Sequence, residues 1–302
     1  MSITPQQTID AANQVFGSHP GFRALHAKGT LCKATFTATP EAARLTRAAH
    51  MQGDPIEATV RVSNGGGDPD VPDYQPDVRG LAVKLYLPDG TRTDIVTQTV
   101  PRFPVRTPEA FAELMLAQRP SPAMVWRMPL FLARNPRALV TVPGGLPALK
   151  PVASYATCRY YGTHAFRFLD AQGGSRYARY TLLPEAGEGR LSVRGARRRG
   201  PDYLQEDIRQ RLDRGLVRFT LELQIAGPDD AVDDPTAVWP SQRERVRAGM
   251  LELTAIETER ETNGDVLVFD PTRITDGIEL SDDPILQFRH RAYTESVARR
   301  MG

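Results

Sequence analysis

"GLAVKLYLPDGTRTDIVTQT", residues 80–99, holds two runs in which apolar and β-branched residues alternate with polar ones, separated by Pro88, Asp89 and Gly90. Alternation with period two places successive side chains on opposite faces of a strand, and the Pro-Asp-Gly break ends one run before the next begins. Strands joined by so short a connection run antiparallel. The pattern extends in both directions from this pair. "KATFTAT" (33–39) and "IEATVRVS" (56–63) come before it. "CRYYGTHAFRFLD" (158–170), "SRYARYTLLP" (175–184), "VRFTLELQIA" (217–226) and "RAGMLELTAIET" (247–258) come after it. "GGGDPDVPDYQPD" (65–77) is too rich in breakers and polar residues to be anything but a loop.

Helical patterns flank and interrupt these runs. Residues 5–16 predict a helix capped by Thr4, with Pro5 at its first position and Ile9, Ala12 and Val15 on one face. Residues 107–137 change to helical period, and "DYLQEDIRQRLDRG" (202–215) predicts a charged helix. The chain closes on a loop over 269–284 and a final helix. Eight or so mainly antiparallel strands with inserted and C-terminal helices predict an α+β fold built on an eight-stranded antiparallel β-barrel. No repeat or low-complexity linker interrupts it, which predicts one domain over residues 1–302.

The composition narrows the class of function. The chain has 302 residues, 38 basic and 36 acidic, for a net charge of +2. That balance carries no nucleic-acid or membrane-surface footprint. No apolar run reaches the length of a membrane span, and the N-terminal stretch lacks the basic and apolar regions of a signal peptide. Cys32 and Cys158 form no CxxC pair and read as buried thiols of a reducing cytoplasm rather than as a disulfide. No P-loop, GxGxxG, HExxH or GxSxG occurs, and the five histidines do not have the spacing of a zinc site.

Four short segments contain residues suited to chemistry. "FRALHAKGT" (22–30) has His26 three residues after Arg23. "VRVSNGGG" has Arg61 and Ser63 two apart, on one face of a strand. "DIVTQTVPRFPVRTPEAF" brings Gln98, Phe103 and Phe111. "ILQFRHRAYTES" (285–296) places Arg289 four residues before Tyr293, on one face of a helix. Singly, each has an ordinary reading: a satisfied histidine, an amphipathic strand, two core phenylalanines, a helix pair.

Together, and in this order, the segments resemble the catalase superfamily. The similarity is carried by "HAKG" (26–29), "RVSNG" (61–65), "DVRGLAVKLY" (77–86), "FPVRTP" (103–108), "YGTHAFRFLDAQG" (161–173), "DPTAVWP" (234–240) and "DPILQFRHRAY" (283–293). The resemblance implies a ferric haem b at the barrel, with Tyr293 as the axial iron ligand and His26 as the distal acid–base group oriented by Ser63. It implies propionate contacts from Arg23, Arg61 and Arg300, and a porphyrin environment that includes Leu25, Phe103 and Phe111. A free phenol has a pKa of about 10. In this reading the fixed charge of Arg289 favours the phenolate, and ferric iron completes the deprotonation.

The sequence departs from the family pattern in three ways. The long N-terminal arm, the C-terminal helical domain and the nicotinamide-nucleotide region of large catalases have no counterpart. Gln98, with Thr99 beside it, stands where the family has the distal asparagine. Leu25 replaces a smaller residue before the distal histidine. These departures predict a small catalase-related peroxidase that reduces hydrogen peroxide or organic hydroperoxides with an external small-molecule donor and has weak catalase activity. It is expected to be a cytoplasmic monomer or homodimer, with neither nucleic acid nor membrane as a partner. An isomerase of the allene-oxide-synthase type and a haem-storage barrel are the alternatives.

Overall fold

A computed structural model describes residues 3–258 and 267–301. Helix α1 spans Pro5–Phe16. Thr4 Oγ1 accepts from the Gln7 amide while Gln7 Oε1 accepts from the Thr4 amide, so two of the helix's four orphan N–H groups are satisfied reciprocally. The long strands follow the period-two pattern closely: β1 (Gly29–Ala38), β2 (Ile56–Asn64), β3 (Arg79–Tyr86) and β4 (Arg92–Gln98). The later strands are β5 (Tyr160–Tyr161), β6 (Phe166–Leu169), β7 (Ser175–Pro184), β8 (Val217–Ile225), β9 (Arg245–Ile256) and β10 (Ile278–Leu280).

The pairing closes a barrel. From β8 the order runs through β9, β1, β2, β3, β4, β5 and β7, and β7 pairs back onto β8, every pairing being antiparallel. This is the predicted eight-stranded barrel. Closure leaves no free edge among the eight strands. Strands β6 and β10 extend the sheet from the first half of β7.

The helices are α2 (Pro40–Leu45), α3 (Pro108–Gln118), α4 (Met124–Arg134), α5 (Ala138–Gly145), α6 (Val193–Arg197), α7 (Tyr203–Arg214) and α8 (Pro284–Met301). The single helical stretch expected over 107–137 is two helices. They are separated by Arg119-Pro120-Ser121-Pro122, where proline removes backbone donors and clashes with helical continuation. Among the described residues no helix is long and apolar enough to cross a membrane. Cys32 and Cys158 are buried and are not joined in a disulfide.

The first four strands have two distinct faces. Cys32, Ala34 and Phe36 of β1, Ala58, Val60 and Val62 of β2, and Leu81, Val83 and Leu85 of β3 join the main core. The intervening residues form the other face, and cross-strand register aligns them in rows. One row is Gly29, Ser63, Gly80 and Gln98; a second is Leu31, Arg61, Ala82 and Val96. This second face is covered by Leu267 and Phe269, which cluster with Leu31, Ala82 and Val96.

A buried ion pair anchors that cover. Lys84 Nζ lies 2.5 Å from Asp94 Oδ1, and both side chains are inaccessible to solvent. Asp94 Oδ2 also accepts from the Asp270 amide at 2.8 Å and from Arg273 Nη1 at 2.8 Å. Asp270 in turn meets His290 Nδ1 of α8 at 2.7 Å. Asp94 thus connects the barrel wall to the segment that leads into α8. Replacing Asp94 with Ala strands the Lys84 ammonium in the interior and should cost about 3–5 kcal/mol in a denaturant titration. The apolar pair Lys84→Met with Asp94→Leu should recover most of that loss; a single Asp94→Ala variant as stable as the natural chain would remove this anchor from the account.

Candidate active site

His26 sits just before β1 with φ at +56°, the only non-glycine residue with positive φ among the described residues. The left-handed region costs an L-residue free energy, and such outliers persist where surrounding contacts fix them. Here the His26 amide donates to Gly65 O at 3.0 Å and the Ala27 amide to Gly66 O at 3.0 Å. The glycine run makes this approach possible: a Cβ on Gly67 would lie 2.2 Å from Ala24 O. Asp77 holds the run from behind, its Oδ2 accepting from the amides of Gly65 and Gly66 at 2.8 and 3.0 Å.

The imidazole lies over the Ser63–Gly80–Gln98 row. His26 Nδ1 is 3.0 Å from Ser63 Oγ. A Cβ on Gly80 would stand 2.9 Å from both Nδ1 and Cε1 of His26, so the row has a glycine where the ring needs room. Gln98 pairs with Gly80 on the next strand, which puts its half-buried amide on the same face as Ser63. Thr99 is committed elsewhere: its Oγ1 accepts from the Arg79 amide at 3.0 Å. Enclosure of the ring, and then the charges of Arg61, Arg289 and Arg23, push the His26 pKa down to about 3. The imidazole is therefore neutral at any pH near neutrality.

The second part of the site is carried by α8. Asp283 caps this helix just before Pro284, with Oδ1 accepting from the amides of Ile285 and Leu286 at 2.8 and 3.3 Å. Its other oxygen lies 2.6 Å from His164 Nδ1. Burial lowers the His164 pKa against the opposing pull of Asp283. The neutral ring then donates from Nδ1 to Asp283 and accepts at Nε2 from Arg289 Nη1, 3.0 Å away. The remaining arms of Arg289 both donate to Tyr293 Oη, from Nε at 2.9 Å and from Nη2. One guanidinium thereby spans a histidine and a phenol. Burial nonetheless pushes the Tyr293 pKa up, and Arg289 only offsets it in part. The expectation that Arg289 favours the phenolate holds in direction, but the arginine alone does not deprotonate the phenol.

The other expected residues fall around these two parts. Arg61 is buried and donates from Nη2 to Ala27 O at 3.1 Å, and Arg23 donates to Leu267 O at 2.6 Å. Phe103 packs against Phe111 at 5.1 Å between ring centroids and against His164 at 6.3 Å. Leu25 shares a cluster with Phe111. Arg300 is half-buried two turns beyond Tyr293, with no carboxylate partner among the described residues, and burial lowers its pKa. No hydrogen bond among the described residues joins it to Arg23 or Arg61. Sequence reasoning missed Gly80, His164 and Asp283 as site residues. The signals available were the "GTH" within 161–173 and an aspartate directly before a helix-opening proline.

A family model described as catalase matches residues 17–302. A catalase-related peroxidase of Mycolicibacterium paratuberculosis is 47% identical over 300 residues, covering 99% of this chain and 96% of that protein. A catalase-related peroxidase of Synechococcus elongatus is 32% identical over 302 residues, covering 99% and 89%. Among solved structures, a fungal catalase matches with a TM-score of 0.84 at 25% identity, over 94% of this chain and 60% of that one. Catalase A from Saccharomyces cerevisiae matches at 0.82 and 23% identity, over 94% and 62%. The chain therefore spans about three fifths of the length of these solved catalases.

The depressed histidines make stability depend on pH. Burial also pushes His50 down to about 4, and neither of its ring nitrogens has a hydrogen-bond partner among the described residues. In the unfolded chain both histidines take up a proton near pH 6.5, whereas the folded chain resists until about pH 3 for His26 and about 4 for His50. Stability present above pH 6.5 is therefore lost as the pH falls. The slope below pH 6.5 should reach about 1.4 kcal/mol per pH unit for each histidine. Denaturant midpoints of the haem-free chain between pH 7.5 and 5 should fall accordingly, and His26→Gln should flatten the slope. A slope unchanged by that substitution would assign the dependence to other groups.

Proposed function

The chain belongs to the catalase family, and from that premise we propose that it is a haem peroxidase in which Tyr293 would hold a bound haem b and His26 would handle the peroxide's proton. The observation that carries this reading is the pair of oppositely prepared groups: a phenol gripped by Arg289, and a neutral, strained His26 held to Ser63. The charge of Arg289 acts on His26, so both belong to one electrostatic environment.

The residues fit such a group. A phenol whose burial keeps its proton needs a strong Lewis acid to become a good anionic ligand, and ferric iron is one. Arg23, Arg61 and Arg300 offer guanidinium groups of the kind that hold propionates in a water-poor site. Phe103 and Phe111 offer aromatic surface beside His164, and Leu25 packs behind Phe111. Tyr293, with its oxygen held by two donors of Arg289, is the candidate ligand.

Ferric haem, when bound, supplies two-electron redox chemistry toward a peroxide. The chain supplies the proton handling. With Nδ1 engaged by Ser63, His26 presents Nε2 as the base that takes the peroxide proton and returns it to the departing oxygen. The low pKa keeps that nitrogen free to accept. Gln98 reaches into the same space with an amide one methylene longer than asparagine. A misplacement of about 1 Å can cost roughly 10²-fold in rate, so the longer arm favours reduction by an external donor over reaction with a second peroxide. Leu25, directly before His26, is bulkier than the residue the family has there. The substrates are small molecules: hydrogen peroxide or an organic hydroperoxide, and a reducing donor. The chain works as one catalytic unit, monomer or homodimer, in the cytoplasm, in keeping with its two buried thiols.

Tyr293→Phe should lose or loosen the haem, read as pigment retained through gel filtration. A variant with full loading and an unaltered Soret band would remove Tyr293 as the ligand. His26→Ala should keep its haem yet react with peroxide about 10²- to 10⁴-fold more slowly in stopped flow, and an unchanged rate would transfer the role to another residue. Gln98→Asn, alone and with Leu25→Val, should raise oxygen release from hydrogen peroxide more than it raises donor oxidation. If the natural chain already releases oxygen faster than it oxidises donors, the preference for external reductants is wrong.

A further inference from the structure

Helices α4 and α5 present an apolar face to solvent. Seven of the eleven exposed large hydrophobic side chains among the described residues lie between Met124 and Leu146. Val125 is 82% exposed, Val140 66% and Trp126 58%, with Leu130, Leu139 and Leu146 also exposed. On α4 the inner face is apolar too. Phe131 is buried, and Met128 and Leu132 pack against the cluster that includes Phe103 and Phe111. A helix apolar all round normally lies inside a protein or against lipid.

The charge of the segment itself is one-sided, although Glu113 and Asp234 reach Asn135 and Arg137 from outside it. From Leu114 to Leu169 the chain contains no Asp or Glu, while Arg119, Arg127, Arg134, Arg137 and Lys150 punctuate the same stretch. Arg137 pairs with Asp234, but Arg119, Arg127, Arg134 and Lys150 have no carboxylate partner among the described residues. The Arg127 guanidinium lies 5.5 Å from the Trp126 ring centroid, so an aromatic and a cation stand together at the rim. A net charge of +2 averaged over the chain conceals this patch.

We propose that the α4–α5 face docks on the surface of an anionic phospholipid bilayer. The helices are too short to span one, at 11 and 8 residues, and instead offer what an interfacial helix offers: apolar side chains to the acyl boundary, with tryptophan and arginine at headgroup level. A second copy of the chain is a poorer occupant, because a two-fold contact would bring this patch, with its unpaired Arg119, Arg127, Arg134 and Lys150, against itself. An anionic leaflet supplies both the apolar layer and the opposite charge.

The test uses the full, haem-loaded chain in co-sedimentation with vesicles of phosphatidylcholine alone and of phosphatidylcholine with phosphatidylglycerol. Each basic side chain near an anionic leaflet is worth about a fivefold change in binding. Binding to the phosphatidylglycerol vesicles should therefore exceed binding to the neutral ones by more than about tenfold. It should weaken sharply in about 1 M salt, where the screening length is roughly 3 Å. Trp126→Ser with Leu130→Ser, and separately Arg127→Glu with Arg134→Glu, should each lower it by at least about tenfold, with the Soret band and turnover of a water-soluble peroxide unchanged. No binding, equal binding to both vesicle types, or binding indifferent to salt overturns the proposal, and the salt and lipid comparisons on the natural chain decide even where a variant misfolds. A natural dimer in light scattering that Trp126→Ser with Leu130→Ser turns into monomers would also overturn it, by making the face a contact between copies.

Discussion

Arg289 cannot be satisfied by any one element of the fold. Its guanidinium is half-buried and has to spend its donors on groups from distant parts of the chain: His164, between β5 and β6, and Tyr293, one turn along its own helix. Arginine suits the task because its donors are fixed in a planar fork and it remains charged when partly desolvated. Asp283 fixes the far end by capping α8 and holding His164 with the same carboxylate. Helix position, imidazole tautomer and phenol orientation are thus set by one hydrogen-bonded series. A break anywhere in it leaves a buried polar group without its partner.

The histidine side of the site works by a different means. His26 is held by backbone hydrogen bonds to a glycine run and by the absence of a side chain at Gly80. The arrangement accepts a strained backbone in exchange for a fixed ring, and burial first, then the surrounding arginines, keep that ring unprotonated. Electrostatics orders the phenol side, and steric clearance orders the imidazole side. Cross-strand register ties the two treatments together, because it places Ser63, Gly80 and Gln98 in one line beneath the ring.

Much of this was legible in the sequence because strand period and helix spacing are local. The alternation in β1–β4 and β7–β9 reported the barrel directly, and the four-residue gap between Arg289 and Tyr293 reported a shared helix face. Two-residue β5 and three-residue β10 are too short to show a period, so the closing of the barrel was not readable strand by strand. His164 and Asp283 were missed because they meet only in three dimensions, across 119 positions of chain. Whether Gln98 or Thr99 belongs to the site was likewise undecidable from neighbouring residues, since a shift of one position exchanges the two faces of a strand. Register adds what the sequence lacks: Gln98 pairs with Gly80, on the face that carries Ser63, while the Thr99 hydroxyl accepts from the Arg79 amide. The acid-free stretch after Glu113 was hidden for another reason, since a charge total over the whole chain averages away any local imbalance.

The position of α8 after every barrel strand has a consequence for how the protein is made. A ribosome delivers His26 first and Tyr293 roughly 270 residues later, on the order of 15–50 s at ordinary rates of synthesis. During that interval the strands can pair and the imbalance between apolar wall and missing helix must be tolerated, with Leu31, Ala82 and Val96 awaiting the cover that Leu267 and Phe269 bring. A pigment that needs Tyr293 cannot be fixed in place until α8 has been made. In the proposed reading, with Tyr293 as the ligand, the residue that fixes the pigment is therefore made after every strand of the barrel.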